Sequence, residues 1–438
     1  MVRARKTSNL GADIRGDTSA PAMSTMNEVS PIDAKQPPWD TAAQSTDTSK
    51  SHSKRRRGRS FIRRFKDTCL KHTWLLPLLI LAVLLAAYAV NPTPSNPLHY
   101  AIFLSYPQPP KTPGGPIMYG KGKKDIAFCA FYTIVLSFTR EFLMQRVIRP
   151  FAVYCGIRGK GKTARFMEQV YTAMYFGIFG PYGLYVMSRT NIWYFNTTAM
   201  FEGFPHREHE GLFKAYYLLQ ASYWAQQAIV LLLQLEKPRK DFKELVGHHI
   251  ITLALIALSY RFHFTYIGLA VYITHDISDF FLATSKTLNY IDAYITAPYF
   301  GFFVFVWIYM RHYLNLRFLW AVLTEFRTVG PFELNWETQQ YKCWISQYIT
   351  FALLASLQAV NAFWLFLILR ILKNYLFTNI KKDERSDDED EEEEEELEQA
   401  AGSAAALATG TEQGELKARS ANEKTTPQVM VNGQPVKR

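Results

Sequence analysis

Cysteine and histidine are scarce in this chain of 438 residues. The four cysteines are scattered without paired spacing, which excludes a disulfide framework and a cysteine-based zinc site. They are Cys69, Cys129, Cys155 and Cys343. The ten histidines are few for the imidazole-rich metal sites of membrane hydroxylases and desaturases, since only His248, His249 and His275 form an evident cluster. We therefore expect no bound metal.

The chain also lacks the pattern of a cleavable signal peptide at its start, so its first transmembrane segment would serve as the targeting signal. Charged residues are sparse in the middle and concentrated at the two ends. Neither end can bury enough apolar surface to fold alone. The net charge of +11 sums a basic front end, basic loops and an acidic tail, and does not favour nucleic-acid binding. We predict a disordered basic tail over residues 1–70 and a disordered acidic tail over 381–438.

Apolar runs long enough to cross about 30 Å of hydrocarbon recur between the tails. We count eight and expect an all-α polytopic membrane protein, with a first span and loop over residues 71–123 and a membrane domain over 124–380. The last six or seven helices should form a bundle around a membrane-embedded cavity. The predicted spans cover residues 74–90, 126–143, 166–187, 216–235, 246–260, 266–283, 294–310 and 345–372.

Positive residues near the span ends predict the orientation. Residues 55–66 before the first span, 146–165 after the second and 237–243 before the fifth are basic, which places both termini in the cytosol. The loop after the first span departs from this pattern with Lys121, Lys123 and Lys124. This orientation puts Asn196, in the sequence Asn-Thr-Thr, on the lumenal side as a glycosylation candidate.

Two spans carry ionisable residues that are costly in a bilayer, by about 2.5 to 3.5 kcal/mol each, and are therefore functional candidates. His248 and His249 open the fifth span, and Asp276 and Asp279 lie in the sixth. Adjacent helical residues are about 100° apart, so both histidines can border one cavity. If the two spans form an antiparallel pair, the histidines and the aspartates meet at a similar depth.

An imidazole can take up a proton near neutral pH, and a neighbouring carboxylate fixes its tautomer. Such a pair can deprotonate an amine or hydroxyl group that attacks an activated acyl group. Two other interpretations stay open. The polar groups can simply hold helices together, as in a lipid sensor or carrier without catalysis. A metal-dependent hydroxylase is the third interpretation, and loss of activity on metal chelation would favour it.

Together these residues resemble the longevity-assurance (Lag) motif of ceramide synthases, over about residues 236–290. The chain is similar to the fungal members of that family, since the homeobox-like insert of animal members is absent. The second to eighth spans resemble the family's larger TLC domain. The motif residues here are Glu236-Lys237-Pro238-Arg239-Lys240-Asp241-Phe242, His248-His249, Ser259-Tyr260, Gly268, His275-Asp276-Ile277-Ser278-Asp279 and Ser285-Lys286.

The resemblance implies transfer of a long or very long fatty acyl group from acyl-CoA to the amine of a sphingoid base. A thioester is already activated, so acyl-CoA is a substrate and no cofactor is needed. The family's essential residues correspond to His248, His249, Asp276 and Asp279. One histidine would act as general base or first take the acyl group as an acyl-imidazole, while Asp276 orients it.

The remaining expectations concern substrates and partners. Arg239, Lys240 and Lys286 are candidates for binding the phosphates of coenzyme A. Acyl chain length should depend on residues 260–266 and 311–317. The resemblance also implies the endoplasmic reticulum membrane, a small single-span accessory subunit, a homodimer or heterodimer with a second catalytic chain, and phosphorylation of the acidic tail, for which Ser386 is the candidate.

Overall fold

The computed structural model describes residues 63–110, 113–233 and 241–378, and the backbone of residues 430–431 and 434–435. Most of both predicted tails lies outside these ranges, as do Arg239, Lys240 and Ser386. Residues 63–70, at the end of the predicted N-terminal tail, belong to a helix that spans Arg63–Lys71.

Helices dominate the described residues, and one coincides with each of the eight predicted spans. Apolar residues recur in these stretches without the breaks that loops require, which is why the sequence predicts them. The helices are α1 (Arg63–Lys71), α2 (Leu75–Val90), α3 (His99–Ile102), α4 (Lys124–Leu143), α5 (Arg149–Tyr154), α6 (Lys160–Ser188), α7 (Gly211–Leu232), α8 (Phe242–Arg261), α9 (Thr265–Tyr290), α10 (Thr296–Trp307), α11 (Asn315–Thr324) and α12 (Trp344–Thr378). A 3₁₀ turn lies at Thr198–Met200.

Three helical segments of the described chain are long and apolar enough to cross a membrane on their own. They are Lys124–Tyr154, Phe242–Arg261 and Trp344–Phe377, and the pair α1 and α2, bent by 105°, would make a fourth. Helices α6, α7 and α9 carry buried polar side chains such as Gln169, Gln220 and Asp276, which lower their hydropathy. The count of eight spans therefore stays a prediction.

Helix α9 lies at the centre of the bundle, with α6 packed closely along it. Small residues at helical spacing on α6 allow this approach. Gly180 faces Ile277, and a Cβ atom added at Gly183 would lie 2.8 Å from Ile273 and 2.6 Å from the Tyr216 hydroxyl. A separate hydrophobic cluster, which includes Trp307 and Trp364, joins α10 to α12.

Two π-helical segments continue the helices around them. Met144–Ile148 joins α4 to α5, and Ile308–Leu314 joins α10 to α11. A π turn holds extra residues and changes which side chains face a neighbouring helix. In the second segment Arg311 is buried, with 2% of its surface exposed. The second π segment therefore places an arginine in the interior of the bundle.

Short strands and polar contacts close the end of the bundle that is predicted to be lumenal. The strands β1 (Pro107–Gln108), β2 (Met118–Tyr119) and β3 (His209–Glu210) form an antiparallel sheet. The remaining strands of the described chain, β4 (Met430–Val431) and β5 (Gln434–Pro435), pair with each other and belong to the segment that is predicted to be cytosolic. The Lys121 ammonium lies 3.4 Å from His263 and 3.3 Å from Thr265, and Lys124 lies 3.5 Å from the Tyr100 ring. These contacts give two of the three lysines that break the charge pattern a structural role.

Candidate active site

His248 is a buried histidine on the second turn of α8, with 5% of its surface exposed. Its Nε2 atom lies 3.5 Å from the Thr252 hydroxyl, at the limit of a hydrogen bond. Its Nδ1 atom is buried and has no hydrogen-bond partner in the described part of the chain. A buried polar atom without a partner is energetically costly and is often found at functional sites, which makes His248 a candidate catalytic residue.

Two cavities meet at His248. The first is apolar, has a volume of about 240 Å³, and lies between α8, α9 and α12. It extends from His248 and His275 to Trp336 and Tyr341, in the loop before α12. The second has a volume of about 180 Å³ and a more polar lining, and His248 and Trp224 border both. Its polar side chains include Gln169, Gln227, Asp241, Asp279, Lys286 and Arg311.

His249 borders only the polar cavity. Its ring lies 5.7 Å from the His248 ring, at an interplanar angle of 88°. The Nδ1 atom of His249 lies 2.9 Å from the Leu245 carbonyl oxygen, one turn earlier. Because a carbonyl oxygen can only accept, Nδ1 carries the hydrogen and donates the hydrogen bond. The spacing predicted that both histidines could border one cavity, and both line the polar one. Only His248 also reaches the apolar cavity.

Asp276 turns away from both histidines. The side chain is fully buried and lines neither cavity, and one of its carboxylate oxygens accepts hydrogen bonds from the Tyr216 hydroxyl, at 2.8 Å, and from the Gln220 amide. The contact between Asp276 and a histidine that the sequence suggested is therefore not formed. The reason is its rotation on α9, which points the carboxylate at α7.

Asp279 borders the polar cavity and is paired with Arg311 at 2.6 Å. The guanidinium group also donates to Ser278 at 2.6 Å and to Asn361 at 3.0 Å, and lies 4.2 Å from the Trp307 ring. One buried cation thus joins α9, the second π segment and α12, and it neutralises the Asp279 charge. A buried carboxylate paired in this way is a poor free base.

His275 is held as a neutral ring by a chain of hydrogen bonds that begins at Arg311. Arginine can only donate, so the Asn361 oxygen faces Arg311 and the Asn361 amide group faces His275, 3.3 Å from its Nε2 atom. This Nε2 atom must then accept, and the His275 proton lies on Nδ1, 2.8 Å from the Val271 carbonyl oxygen. His275 therefore contributes to the wall of the apolar cavity with both ring nitrogens engaged.

Arg311 is the main residue of the polar cavity that the sequence did not predict there. It lies one residue beyond the predicted end of the seventh span, and the π segment that turns it inward leaves no clear signal in the sequence. The signal that was available is an arginine directly next to an apolar run, which in a membrane helix needs a buried partner. Asp279 is that partner.

The acyl-length regions predicted from the sequence line the cavities only in part. Of residues 260–266, Phe262 and Phe264 line the apolar cavity, whereas of residues 311–317 only Arg311 lines either of these two cavities, the polar one. The far end of the apolar cavity is formed instead by Leu334, Trp336 and other residues of the loop before α12.

Two further predicted residues, Lys286 and Asn196, lie in the described part of the chain. Lys286 lines the polar cavity, and its role in phosphate binding stays a prediction. Asn196 is exposed, and the Thr198 hydroxyl of the same triplet donates to Glu325 at 2.9 Å. Within the described ranges, no group of three or more His, Cys, Asp or Glu side chains is arranged to hold a metal ion, and all four cysteines are free.

Comparison with known proteins gives consistent matches. Residues 165–370 match the TLC domain family. The chain is 53% identical to "Sphingosine N-acyltransferase lac1" of Schizosaccharomyces pombe over 339 residues, which cover 76% of this chain and 87% of that protein. It is 53% identical to "Ceramide synthase LAG1" of Saccharomyces cerevisiae over 325 residues, which cover 74% of this chain and 78% of that protein.

Proposed function

The chain belongs to the sphingosine N-acyltransferase (ceramide synthase) family, and we propose that it carries out acyl transfer from acyl-CoA to a sphingoid base at His248. The observation that carries this proposal is the position of His248 between the polar and the apolar cavity. Acyl-CoA has the same division, with a charged nucleotide head, an apolar chain and the thioester between them. With the acyl chain in the apolar cavity and the head beyond the polar cavity, the thioester lies beside His248.

The reaction needs no redox step and no external energy source. The sphingoid amine nitrogen attacks the thioester carbonyl carbon, the C–N bond forms and the C–S bond breaks. Coenzyme A leaves as a thiolate and takes up the proton that the amine loses. A base near the amine is therefore the main chemical requirement, and imidazole is suited to it near neutral pH.

His248 can meet this requirement by two routes. As a general base it accepts the amine proton while the amine attacks. As a nucleophile it attacks the thioester first, releases coenzyme A and forms an acyl-imidazole, from which the amine then displaces the imidazole nitrogen. An adduct with the mass of the acyl group on His248 after exposure to acyl-CoA alone supports the second route, and its absence in an active preparation supports the first.

The two aspartates support the site without touching His248. Asp276 fixes α9 to α7 through Tyr216 and Gln220, and Asp279 holds Arg311 at the wall of the polar cavity. His249 lines the polar cavity beside His248, where its imidazole can take part in proton transfer. In this proposal the acyl group reacts beside His248, and His249 assists in proton transfer.

The remaining parts of the proposal follow the predicted orientation. Lys286 at the polar cavity, with Arg239 and Lys240 from the segment before α8, would bind the phosphates of coenzyme A on the cytosolic side. The enzyme would lie in the endoplasmic reticulum membrane with both termini cytosolic, and would act with a small single-span subunit and a second catalytic chain. Glycosylation at Asn196 and phosphorylation at Ser386 stay predictions.

Ceramide formation in purified membranes tests this function. Membranes that contain the full chain are given a sphingoid base and a panel of acyl-CoAs, with and without a metal chelator. We expect acyl-CoA-dependent ceramide formation that the chelator does not reduce. No ceramide, even with the accessory subunit present, would favour a lipid sensor, and loss of activity on chelation would favour a metal enzyme.

A further inference from the structure

Two tryptophan rings lie next to His248. The Trp364 ring, on α12, is 5.1 Å from the His248 ring at an interplanar angle of 69°, and the Trp224 ring, on α7, is 5.6 Å away at 72°. Both tryptophans are buried. His248 itself has no carboxylate partner in the described part of the chain, so aromatic rings occupy the place that a carboxylate takes beside many catalytic histidines.

The position of Trp364 is fixed by a hydrogen bond. Its indole nitrogen donates to the Asp241 carboxylate at 3.2 Å, and Asp241 is the buried residue immediately before α8. His248 lies on the second turn of the same helix. Asp241 thus joins the ring that contacts His248 to the beginning of the helix that carries His248, and the three side chains form one unit, which we call the Asp241–Trp364–His248 unit.

Both routes of acyl transfer place positive charge on the His248 ring. A general base becomes an imidazolium when it accepts the amine proton, and attack by a neutral imidazole on a thioester gives an acyl-imidazolium. A cation that lies over the face of an aromatic ring, within about 6 Å of its centre, is stabilised by about 0.5 kcal/mol at exposed sites to about 2 kcal/mol when desolvated. Both tryptophan ring centres lie within that distance of the His248 ring centre, and the steep interplanar angles fit an edge of the His248 ring directed at a tryptophan face.

We propose that Trp364, held by Asp241, is a positioning residue that orients the His248 ring and stabilises the positive charge that this ring gains during acyl transfer. The proposal rests on the proposed function of His248. It assigns roles beyond those of the two histidines and two aspartates, to a tryptophan of α12 and to Asp241. A tryptophan that only filled space would affect stability or substrate binding. The proposed role of Trp364 predicts an effect on the chemical step, measured as kcat.

The first experiment compares Trp364→Leu and Trp364→Phe in the full chain. Trp74→Phe is the matched control, because Trp74 contacts Phe142 and Arg146 and lines neither of the two cavities. We measure kcat and KM for acyl-CoA at equal protein level. Loss of the ring should lower kcat roughly two- to thirtyfold, as expected for loss of one cation–π contact. KM should stay within about twofold, Trp364→Phe should recover part of kcat, and Trp74→Phe should match the wild type.

The second experiment tests the hydrogen bond and needs no change in the tryptophan itself. Asp241→Asn keeps an oxygen that can accept from the indole nitrogen, whereas Asp241→Leu removes it. We expect Asp241→Leu to lower kcat several times more than Asp241→Asn. Equal loss of kcat in these two variants, a leucine variant of Trp364 with wild-type kcat, or an effect on KM alone would each overturn the proposal.

His248→Ala, assayed in parallel, separates this inference from the proposed function. If His248→Ala is inactive while Trp364→Leu keeps its kcat, the function stands and the role of Trp364 is wrong. If His248→Ala retains full activity, the proposed catalytic role of His248 fails, and the role of Trp364 fails with it. A Trp364→Leu protein that does not accumulate leaves the Trp364→Phe and Asp241 variants to decide the outcome.

Discussion

Replacement of Asp276 by alanine should destabilise the protein, and the size of the effect can be worked out from the structure. One Asp276 oxygen accepts from the Tyr216 hydroxyl and the Gln220 amide, and all three residues are completely buried. In Asp276→Ala the Tyr216 hydroxyl loses its acceptor, whereas the Gln220 amide still donates to the Tyr216 oxygen at 3.1 Å. A buried unpaired donor costs about 1–3 kcal/mol, so the variant should lose at least about that much stability.

The comparison with Asp276→Asn makes this prediction specific. Asparagine keeps an oxygen of nearly the same position that can accept from both Tyr216 and Gln220, so most of the stability should be retained. Thermal unfolding of the detergent-solubilised full chain gives the measurement. Because the Tm shift per kcal/mol falls with chain length, to about 1–2 °C for a chain of this size, Asp276→Ala should lower Tm by a few degrees. Asp67→Ala, on the exposed side of α1, serves as the control and should leave Tm unchanged.

A Tm of Asp276→Ala equal to that of the wild type would refute this reasoning, and so would equal destabilisation by both substitutions. The result also decides how activity data on Asp276 are interpreted. Loss of ceramide synthesis in Asp276→Ala alone reflects the fold of the site. Loss of synthesis in a stable Asp276→Asn protein means that the negative charge itself takes part in the reaction.

Three further predictions concern other parts of the molecule. Arg311→Leu leaves the buried Asp279 carboxylate without its partner and should cost about 3–5 kcal/mol by thermal unfolding, with partial recovery when Asp279→Leu is added; an additive loss would contradict the pairing. Phe262→Ala enlarges the apolar cavity and should shift the preference in an acyl-CoA panel toward longer chains, whereas an unchanged preference would show that Phe262 does not limit the chain. Burial, together with the charge of Lys121, lowers the pKa of His263 from 6.5 to about 3. Between these values the unfolded chain binds a proton that the folded chain does not, so Tm should fall as pH decreases below about 6.5, and His263→Gln should weaken that dependence; an unchanged slope would exclude His263 as its source.

The helices could be predicted well because their signal is local. Each predicted span coincides with a helix. A predicted span is shorter than its helix mainly where polar residues continue the helix. The sixth span was predicted over residues 266–283, while α9 extends from Thr265 to Tyr290 because Ser285 and Lys286 face the protein or the polar cavity and not lipid. Hydropathy reflects how readily a segment enters lipid. It therefore fails to detect the parts of a helix that bury polar groups inside a bundle.

The site could be predicted in part. The histidine pair and its apolar surroundings followed from residue type and spacing, since a charged group in a membrane helix requires a reason. The partners of these groups did not follow, because they depend on helix rotation. Asp276 turns toward Tyr216 on α7, and a π segment brings Arg311 to Asp279. The far wall of the apolar cavity comes from Leu334 and Trp336, which belong to a loop distant in sequence from the motif.

The most direct test of the account is ceramide synthesis by the His248→Ala protein at wild-type expression level, with His72→Ala as a control because His72 lies at the end of the helix α1, away from both cavities. The account predicts that His248→Ala forms no ceramide with any acyl-CoA in the panel, although it unfolds at a Tm close to that of the wild type, and that His72→Ala is fully active. Ceramide formation by His248→Ala at the wild-type rate would contradict the account, because the residue at the junction of the two cavities would then not carry the reaction.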